Sequence, residues 1–309
     1  MKKLFMKRET KLFVFCIVAV VAVLVFAQPQ TASADMGPKP SINITFNNLG
    51  DETCYATILS LHKSTGPFMA YDSETGYKDL GNFDSKYYWE ENYFNEEAEM
   101  SWQVFVDYED EDGFYFLQLW WKVDSEANTI RWGYYPPYTF KVLLYYPESD
   151  TFVSSKIYER YAFDSYYTVN MKIADGAQLT LNKSYDYASE VVGLLCRIAL
   201  TILIELLIAL IFRMKGRRVM WTIFIVNAIT QIVLNVALNL IFYFDGVLMY
   251  LLMYVLFEIG VVIIETVAYC ILLRKGGVPI WKSILYAIVA NAVTAVLGIF
   301  LAKWLPGMF

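Results

Sequence analysis

Residues 217–273 read RRVMWTIFIVNAITQIVLNVALNLIFYFDGVLMYLLMYVLFEIGVVIIETVAYCILL. Two long apolar runs flank Phe244-Asp245-Gly246 in this stretch, and each is long enough to cross a lipid bilayer as a helix, which takes about 20 residues. Further apolar runs precede and follow the stretch. The sequence therefore predicts four membrane-spanning helices, at residues 191–212, 220–243, 247–273 and 283–303.

Basic residues between the predicted spans indicate their orientation. The connections at residues 213–218 and 274–282 are rich in Lys and Arg, and short connections of this kind stay in the cytoplasm. Phe244-Asp245-Gly246 has no basic residue and belongs on the other side of the membrane. This alternation predicts that the C-terminus and the residues before the first span lie outside the cell.

The amino end has the form of an export signal. Basic residues precede an apolar run from Leu12 to Ala27, and Ala32-Ser33-Ala34 follows as a small-residue cleavage pattern. We expect a signal peptide over residues 1–34, cut before Asp35. An uncleaved anchor is the alternative, although the apolar run is short for a membrane span.

Residues 35–187 differ in charge from the remainder of the chain. They hold 25 acidic and 11 basic side chains, whereas residues 188–309 hold 5 acidic and 9 basic ones. Because a strongly acidic surface repels phosphate, we expect no nucleic-acid partner. Cys54 is the one cysteine within residues 35–187, so no internal disulfide is expected there.

Residues 35–187 have the pattern of an all-β domain. Short segments rich in Val, Ile, Tyr, Phe and Trp alternate with clusters of Asp, Gly, Pro and Ser, as strands and turns do. We predict an extracellular all-β, sandwich-like domain followed by an α-helical transmembrane bundle of four helices, residues 188–309. Hairpins are expected at Glu109–Gly113 and Pro147–Asp150. The candidate strands are Ser41 to Phe46, Thr53 to Leu61, Met100 to Tyr108, Phe114 to Val123, Thr139 to Tyr146, Thr151 to Tyr158, Tyr166 to Ile173 and Gln178 to Leu181.

Aromatic side chains of the β domain form one candidate ligand surface. Trp120 and Trp121 are adjacent on a predicted strand, so one ring faces inward and the other outward. An outward ring beside Tyr134 and Tyr135 would offer a platform for a glycan or a peptide. Packing on a sheet face is the alternative interpretation.

No catalytic residue, cofactor site or metal site is expected. His62 is the single histidine and no Gly-x-Ser-x-Gly pattern exists, so a nucleophilic triad cannot be assembled. The acidic run Asp107–Asp112 does not match a calcium loop, because Tyr108 would occupy the first ligand position. Cell-wall hydrolysis by paired outer carboxylates is the enzyme alternative, but no spacing selects a pair.

Polar residues interrupt all four predicted spans. At a rise of about 1.5 Å per residue they lie at similar depths. Ionisable groups in hydrocarbon cost on the order of 3 kcal/mol each, so we expect these side chains to face one another in an intramembrane polar network. The network is either helix-packing glue or a site for a proton, a cation or a ligand. Its members are Glu205, Asn227, Gln231, Asn235, Glu258, Glu265 and Asn291.

A family resemblance supports the same setting. DMGPKPS at residues 35–41 and YERYAFDSY at residues 158–166, together with the Asn and Glu pattern of the spans, resemble a group of uncharacterised exported multi-pass membrane proteins of Gram-positive, Clostridia-like bacteria. The resemblance covers nearly the whole mature chain. It implies a location in the bacterial plasma membrane and supplies no activity.

Two functions fit these patterns. The leading hypothesis is a non-enzymatic cell-envelope protein whose outer β domain binds a glycan, a peptide or a membrane-protein partner. In that case the bundle anchors the domain in the lipid bilayer and relays its state. The alternative is a small transporter or channel component in which Glu205, Glu258 and Glu265 form a proton or cation site.

Overall fold

The computed structural model describes residues 37–50, 52–72, 96–173 and 178–304. The chain divides into two compact units, a β unit at Pro38–Tyr185 and a helical unit that begins at Asp186. The predicted signal peptide, residues 1–34, lies outside the described residues.

The β unit is built mainly of short strands. The apolar and β-branched segments form them, and the Gly, Pro and Asp clusters form the connections. The strands are β1 Ser41–Asn47, β2 Cys54–Ser60, β3 Ser64–Thr65, β4 Phe68–Met69, β5 Tyr115–Val123, β6 Thr129–Trp132, β7 Thr139–Tyr146, β8 Thr151–Ser154, β9 Tyr158–Glu159, β10 Asp164–Asn170 and β11 Leu181–Lys183.

Two sheets carry the β unit. The first has four strands in the order β11-β10-β1-β6, with β1 parallel to β10 and antiparallel to β6. The second has the order β5-β2-β7-β8, with β9 also paired to β7. Strands β3 and β4 form a separate small hairpin. Within the described residues no sheet closes into a barrel.

The apolar core of the β unit lies between its two sheets. Every second residue of β1 is apolar and fully buried, namely Ile42, Ile44 and Phe46, because alternate side chains of a strand face the same side. They share one cluster with Ile58 of β2 and Val142 of β7. A core shared by two sheets is what the predicted sandwich-like domain requires.

A helix covers the other face of the second sheet. Trp102 and Phe105 of α1, Glu96–Val106, pack on Tyr55 and Leu59 of β2, which leaves all seven residues of β2 buried. The prediction of a strand at Met100 to Tyr108 is therefore wrong. The segment is rich in aromatic and β-branched residues, but its two buried rings are three positions apart, as on one face of a helix.

Other predicted boundaries in the β unit also change. Residues 109–113 join α1 to β5 rather than two strands, and β6 was not predicted. Segment 151–158 divides into β8 and β9. The hairpin at Pro147–Asp150 is confirmed, since Tyr146 pairs with Thr151 across it.

Among its described residues, the helical unit contains three helices that are long and apolar enough to cross a membrane. They are α2 Tyr187–Ile211, α3 Arg217–Leu272, which a 3-10 turn at Leu273–Gly276 extends, and α4 Ile280–Trp304. The prediction of four separate helices is wrong, because α3 contains both the second and the third predicted spans.

Helix α3 is divided by Gly246, whose φ of 80° and ψ of −176° are non-helical. A straight helix of 56 residues would measure roughly 84 Å, far more than a bilayer core of about 30 Å. Instead, Leu234 and Leu238 before the glycine share a buried cluster with Phe257 and Val261 after it. Helix α3 therefore turns back at Gly246, and its first arm lies against its second.

Small residues bring α2, both arms of α3 and α4 together. Ala209 of α2, Ala268 of the second arm and Ala287 and Ala290 of α4 are all fully buried in one cluster, which Ile223 of the first arm joins. Small side chains allow helix backbones to approach closely when lipid surrounds the bundle. Four helical segments therefore converge in one core.

Candidate functional site: a buried polar cluster in the helical unit

Two glutamates lie at the centre of the helical unit. Glu205 comes from α2 and Glu265 from the second arm of α3, and both are fully buried. Glutamate is almost never fully buried unless it has polar partners. The residues that surround this pair define the candidate site.

Glu265 is held by two donors from other segments. The Thr230 hydroxyl of the first arm lies 2.6 Å from Glu265 Oε1, and Asn291 Nδ2 of α4 donates to Oε2 at 2.7 Å. Thr230 and Asn291 are each 8% exposed or less. The second arm of α3 is thus linked to the first arm and to α4 through a single carboxyl group.

Glu205 is approached by a tyrosine and an amide. The Tyr286 hydroxyl of α4 lies 3.1 Å from the Glu205 backbone oxygen and 3.4 Å from Oε2. Asn227 of the first arm lies beside the same carboxyl and donates from Nδ2 to the Tyr269 hydroxyl at 2.8 Å. The ring centroids of Tyr269 and Tyr286 are 5.4 Å apart. We call these residues the inner cluster: Glu205, Asn227, Thr230, Glu265, Tyr269, Tyr286 and Asn291.

The structure divides the predicted polar network. Four of its seven members, Glu205, Asn227, Glu265 and Asn291, belong to the inner cluster. Asn235 instead donates to the side chain and backbone of Gln231, at 3.2 and 2.9 Å, and the half-buried Glu258 pairs with Tyr254. Among the described residues, neither of these two groups hydrogen-bonds to the inner cluster.

The predicted network does not include three members of the inner cluster, Thr230, Tyr269 and Tyr286. Thr230 follows Asn227 by three positions and so shares its helix face, but a threonine is not part of a pattern of amides and acids. Tyr286 has no comparable signal, because one tyrosine in an apolar segment is more often an interfacial residue.

The two tryptophans of the predicted aromatic surface face opposite sides of their sheet. Trp121 lies in the core between the sheets, 6.3 Å from Trp132. Trp120 faces the opposite side, as the alternation predicts, but it packs under α1 and donates to Ser101 Oγ at 3.2 Å. The ring centroids of Tyr134 and Tyr135 are 4.9 Å apart.

Two aspartates of the acidic run before β5 form hydrogen bonds with a lysine of another strand. Buried Lys141 of β7 donates to Asp110, and to Asp112 at 3.0 Å. Burial opposes the charged ammonium, but the hydrogen bonds to the two carboxylates outweigh it and raise the pKa of Lys141 above its usual value. Across the described residues, no group of three His, Cys, Asp or Glu side chains is arranged to hold a metal ion.

Comparison with protein-family models, with curated proteins and with solved structures finds no match to this chain.

Proposed function

We propose that the protein is a multi-pass membrane protein of the bacterial cell envelope and that its helical unit binds and releases protons as part of a small transporter or channel. The signal pattern at residues 1–34, the basic connections and the three apolar helices support the membrane location. In this proposal the β unit lies outside the cell as an accessory domain.

The contact between Thr230 and Glu265 carries the proposal. Thr230 Oγ1 lies 2.6 Å from Glu265 Oε1 and 3.1 Å from the backbone oxygen of Val226, but a hydroxyl has one hydrogen to donate. When Glu265 is ionised, Thr230 donates to it. When Glu265 carries a proton, the acid donates to Thr230, whose own hydrogen turns to Val226. Both protonation states of the carboxyl are therefore hydrogen-bonded.

Helix-packing glue accounts less well for the inner cluster. Glue stabilises a bundle when its polar groups satisfy one another. Within the described part of the chain, three fully buried acceptors, Glu205 Oε1, Asn227 Oδ1 and Asn291 Oδ1, receive no hydrogen bond from another protein group. Each unmet buried acceptor costs about 1–3 kcal/mol, so helix packing gains less from this cluster than from a fully satisfied one. Buried ionisable residues of membrane proteins commonly mark proton or ion paths.

Proton movement into liposomes tests the proposal. The purified protein is reconstituted with a pH-sensitive dye inside, and a potassium diffusion potential drives proton entry. We expect Glu265→Gln to abolish the proton flux, because the amide of glutamine does not take up or release a proton at the pH of the assay. Glu258→Gln is the matched control, since it makes the same change on the same helix arm outside the inner cluster, and it should retain the flux.

Two results would contradict proton handling by this site. One is a wild-type protein that moves no protons above the level of empty liposomes. The other is a Glu265→Gln variant that is folded, as judged by size exclusion and circular dichroism, and moves protons as fast as the wild type.

A further inference from the structure

Two connections of the helical unit carry most of its basic residues. Residues 213–218 lead from α2 into α3, and the 3-10 turn Leu273–Gly276 follows α3. Together they contain six of the nine Lys and Arg side chains of residues 188–309, and all six are exposed. We call these residues the basic patch: Arg213, Lys215, Arg217, Arg218, Arg274 and Lys275.

The two connections are in direct contact. A Cβ atom added to Gly276 of the 3-10 turn would lie only 2.7 Å from Cγ2 of Val219 at the start of α3. Met214 and Leu273, one from each connection, are each 1% exposed and share a buried cluster with Val219. The packing therefore brings exposed positive charges from two distant parts of the chain to the same end of the helical bundle.

Backbone hydrogen bonds fix the shape of the first connection. The N–H groups of Arg213 and Met214 donate to the oxygens of Leu210 and Ala209, each at 2.9 Å. Arg213 has a left-handed φ of 53°, a conformation that ends a helix. The connection thus buries Met214 and leaves its basic neighbours in solvent. Because like charges held together repel one another, such a surface favours a negatively charged partner.

The chain itself does not supply that partner. Within the described residues, none of the six side chains of the basic patch forms an ion pair. Glu205 precedes Arg213 by eight residues and Glu265 precedes Arg274 by nine, so each carboxyl group lies at least about 12 Å away along its helix. Both glutamates are also fully buried in the inner cluster. The charges of the basic patch are therefore balanced by groups outside the chain.

Two exposed tryptophans show what surrounds the basic patch. Trp221 lies in the second turn of α3 and is 52% exposed, and Trp281 lies in the first turn of α4 and is 66% exposed. Tryptophan is enriched at the level of the lipid headgroups, where its ring meets both apolar and polar surroundings. The basic patch is therefore at the height of the phosphate groups of the adjoining leaflet.

We infer that the basic patch is a binding site for anionic phospholipid. Clusters of four to eight Lys and Arg residues directly beside a membrane-spanning helix attract anionic headgroups. Four of the six residues are arginines, whose planar guanidinium groups match the oxygens of a phosphate. An acidic protein partner fits less well, because the tryptophans place the patch at the lipid surface. This inference rests on the membrane location within the proposed function and needs no proton movement.

Quenching of tryptophan fluorescence by brominated phospholipids tests the inference. The full-length protein is reconstituted in phosphatidylcholine that contains increasing fractions of brominated phosphatidylglycerol or of brominated phosphatidylcholine. Trp304→Phe removes the tryptophan at the other end of α4, so that Trp221 and Trp281 report the lipid beside the patch. Quenching that remains when both of these are replaced by phenylalanine is subtracted.

We expect the Trp304→Phe protein to prefer phosphatidylglycerol over phosphatidylcholine by about fivefold or more. Each Lys or Arg near an anionic surface contributes about a factor of five. The preference should fall in about 1 M NaCl, because salt screens exposed charges. This salt series needs no change in the patch and so does not depend on how a variant folds.

Two pairs of substitutions test the patch itself. Arg217→Gln with Arg218→Gln, and Arg274→Gln with Lys275→Gln, should each lower the preference for phosphatidylglycerol several-fold. All four side chains are exposed, so little packing is lost.

A matched control removes the same charge elsewhere. Lys156→Gln with Lys172→Gln takes two exposed lysines from the β unit and should leave the preference unchanged. A preference that falls as far in this control as in the patch variants reflects net charge and overturns the lipid site.

Other results would also overturn the lipid site. One is equal quenching by the two brominated lipids in the Trp304→Phe protein. Another is a preference that both glutamine pairs retain in full. A third is a preference that soluble glycerol phosphate abolishes, since the patch would then bind free phosphate.

The outcomes separate this inference from the proposed function. A protein that prefers phosphatidylglycerol but moves no protons contradicts proton handling and leaves the lipid site intact. A protein that moves protons without any lipid preference has the opposite meaning. If neither brominated lipid quenches Trp221 and Trp281, both the membrane location and the lipid site are contradicted.

Discussion

Replacing Lys141 by methionine should strongly destabilise the β unit. Methionine keeps most of the apolar stem but removes the ammonium that Asp110 and Asp112 contact. The Asp110 side chain is 1% exposed, so its charge cannot be solvated once the lysine is gone. What remains for Asp110 is two backbone donors, from Asp112 at 3.0 Å and Phe114 at 3.2 Å.

The expected loss follows from the burial of this ion pair. Removing one partner of a buried pair costs about 3–5 kcal/mol, because the other charge is left without compensation. Since two backbone donors to Asp110 persist, we take the lower end, about 3 kcal/mol. At about 1.4 kcal/mol per factor of ten, the open population of the β unit should rise by roughly 150-fold.

Alkylation of Cys54 measures that population in the intact protein. Cys54 is fully buried in the core between the sheets, and burial, reinforced by Glu52 and Asp124, raises the pKa of its thiol to about 12. The closed state is therefore unreactive at pH 8, and labelling reports opening when reclosing is fast. Peptide mass spectrometry distinguishes Cys54 from the other cysteines.

The pH of the assay keeps the lysine interaction at full strength. Because the pKa of Lys141 is raised in the folded protein, its contribution to stability is fully present below the usual value of 10.5. That contribution is lost only as the pH rises through the higher folded value. Labelling at pH 8 lies well inside the range in which the interaction is intact.

Two further variants make the test decisive. Lys156→Met changes an exposed lysine and should alter the rate less than about threefold, because surface substitutions stay within about 0.5 kcal/mol. The double variant Lys141→Met with Asp110→Asn removes the uncompensated charge and should recover most of the loss. If Lys141→Met labels no faster than Lys156→Met, the buried ion pair does not stabilise the β unit.

Two other predictions concern the helical unit. Gly246→Ala should lower the free energy of unfolding of the detergent-solubilised protein by about 1–3 kcal/mol, because the backbone conformation of residue 246 is essentially restricted to glycine. Gly260→Ala, in the second arm of α3 with open space at its Cβ, should not lower it, and equal losses at both positions would contradict the reasoning. Asp186 accepts hydrogen bonds from the hydroxyl and backbone N–H of Ser189, which lower its pKa. The helix cap that Asp186 forms should therefore be intact above pH 4 and should weaken as the pH falls through the lowered pKa. In Asp186→Ala the backbone amide hydrogen of Ser189 should exchange with solvent faster than in the wild type. An unchanged exchange rate would refute the cap.

Residue periodicity was a good guide where one structural period dominates. The sequence predicts β1, which alternates strictly, with nearly the right bounds. The bounds predicted for β7 also agree with the structure. Helix α1 was mistaken for a strand because its rings and β-branched residues have high strand propensity, and the tertiary contacts of Trp102 and Phe105 override it. Because this segment has high strand propensity, the sequence does not indicate that a helix covers Trp120.

The polar cluster was predictable in part for a geometric reason. Glu258 and Glu265 are seven residues apart, so they share a helix face, but they also lie about 10.5 Å apart along the axis. Their surroundings consequently differ: Glu265 lies where Ala268 and Ala290 allow close helix packing, whereas Glu258 is half-buried beside Tyr254. The helix face on which a residue lies can be predicted from one sequence. How closely the helices pack at the depth of that residue depends on the neighbouring helices.

The turn at Gly246 also fixes how the two arms of α3 are matched in length. With a single non-helical residue between them, the chain has no slack to absorb a change in spacing. Each residue inserted into one arm would advance everything beyond it by about 1.5 Å and rotate it by about 100°. An insertion between Thr230 and Gly246 would therefore move Thr230 away from Glu265. The number of residues in each arm thus sets whether these two side chains can meet.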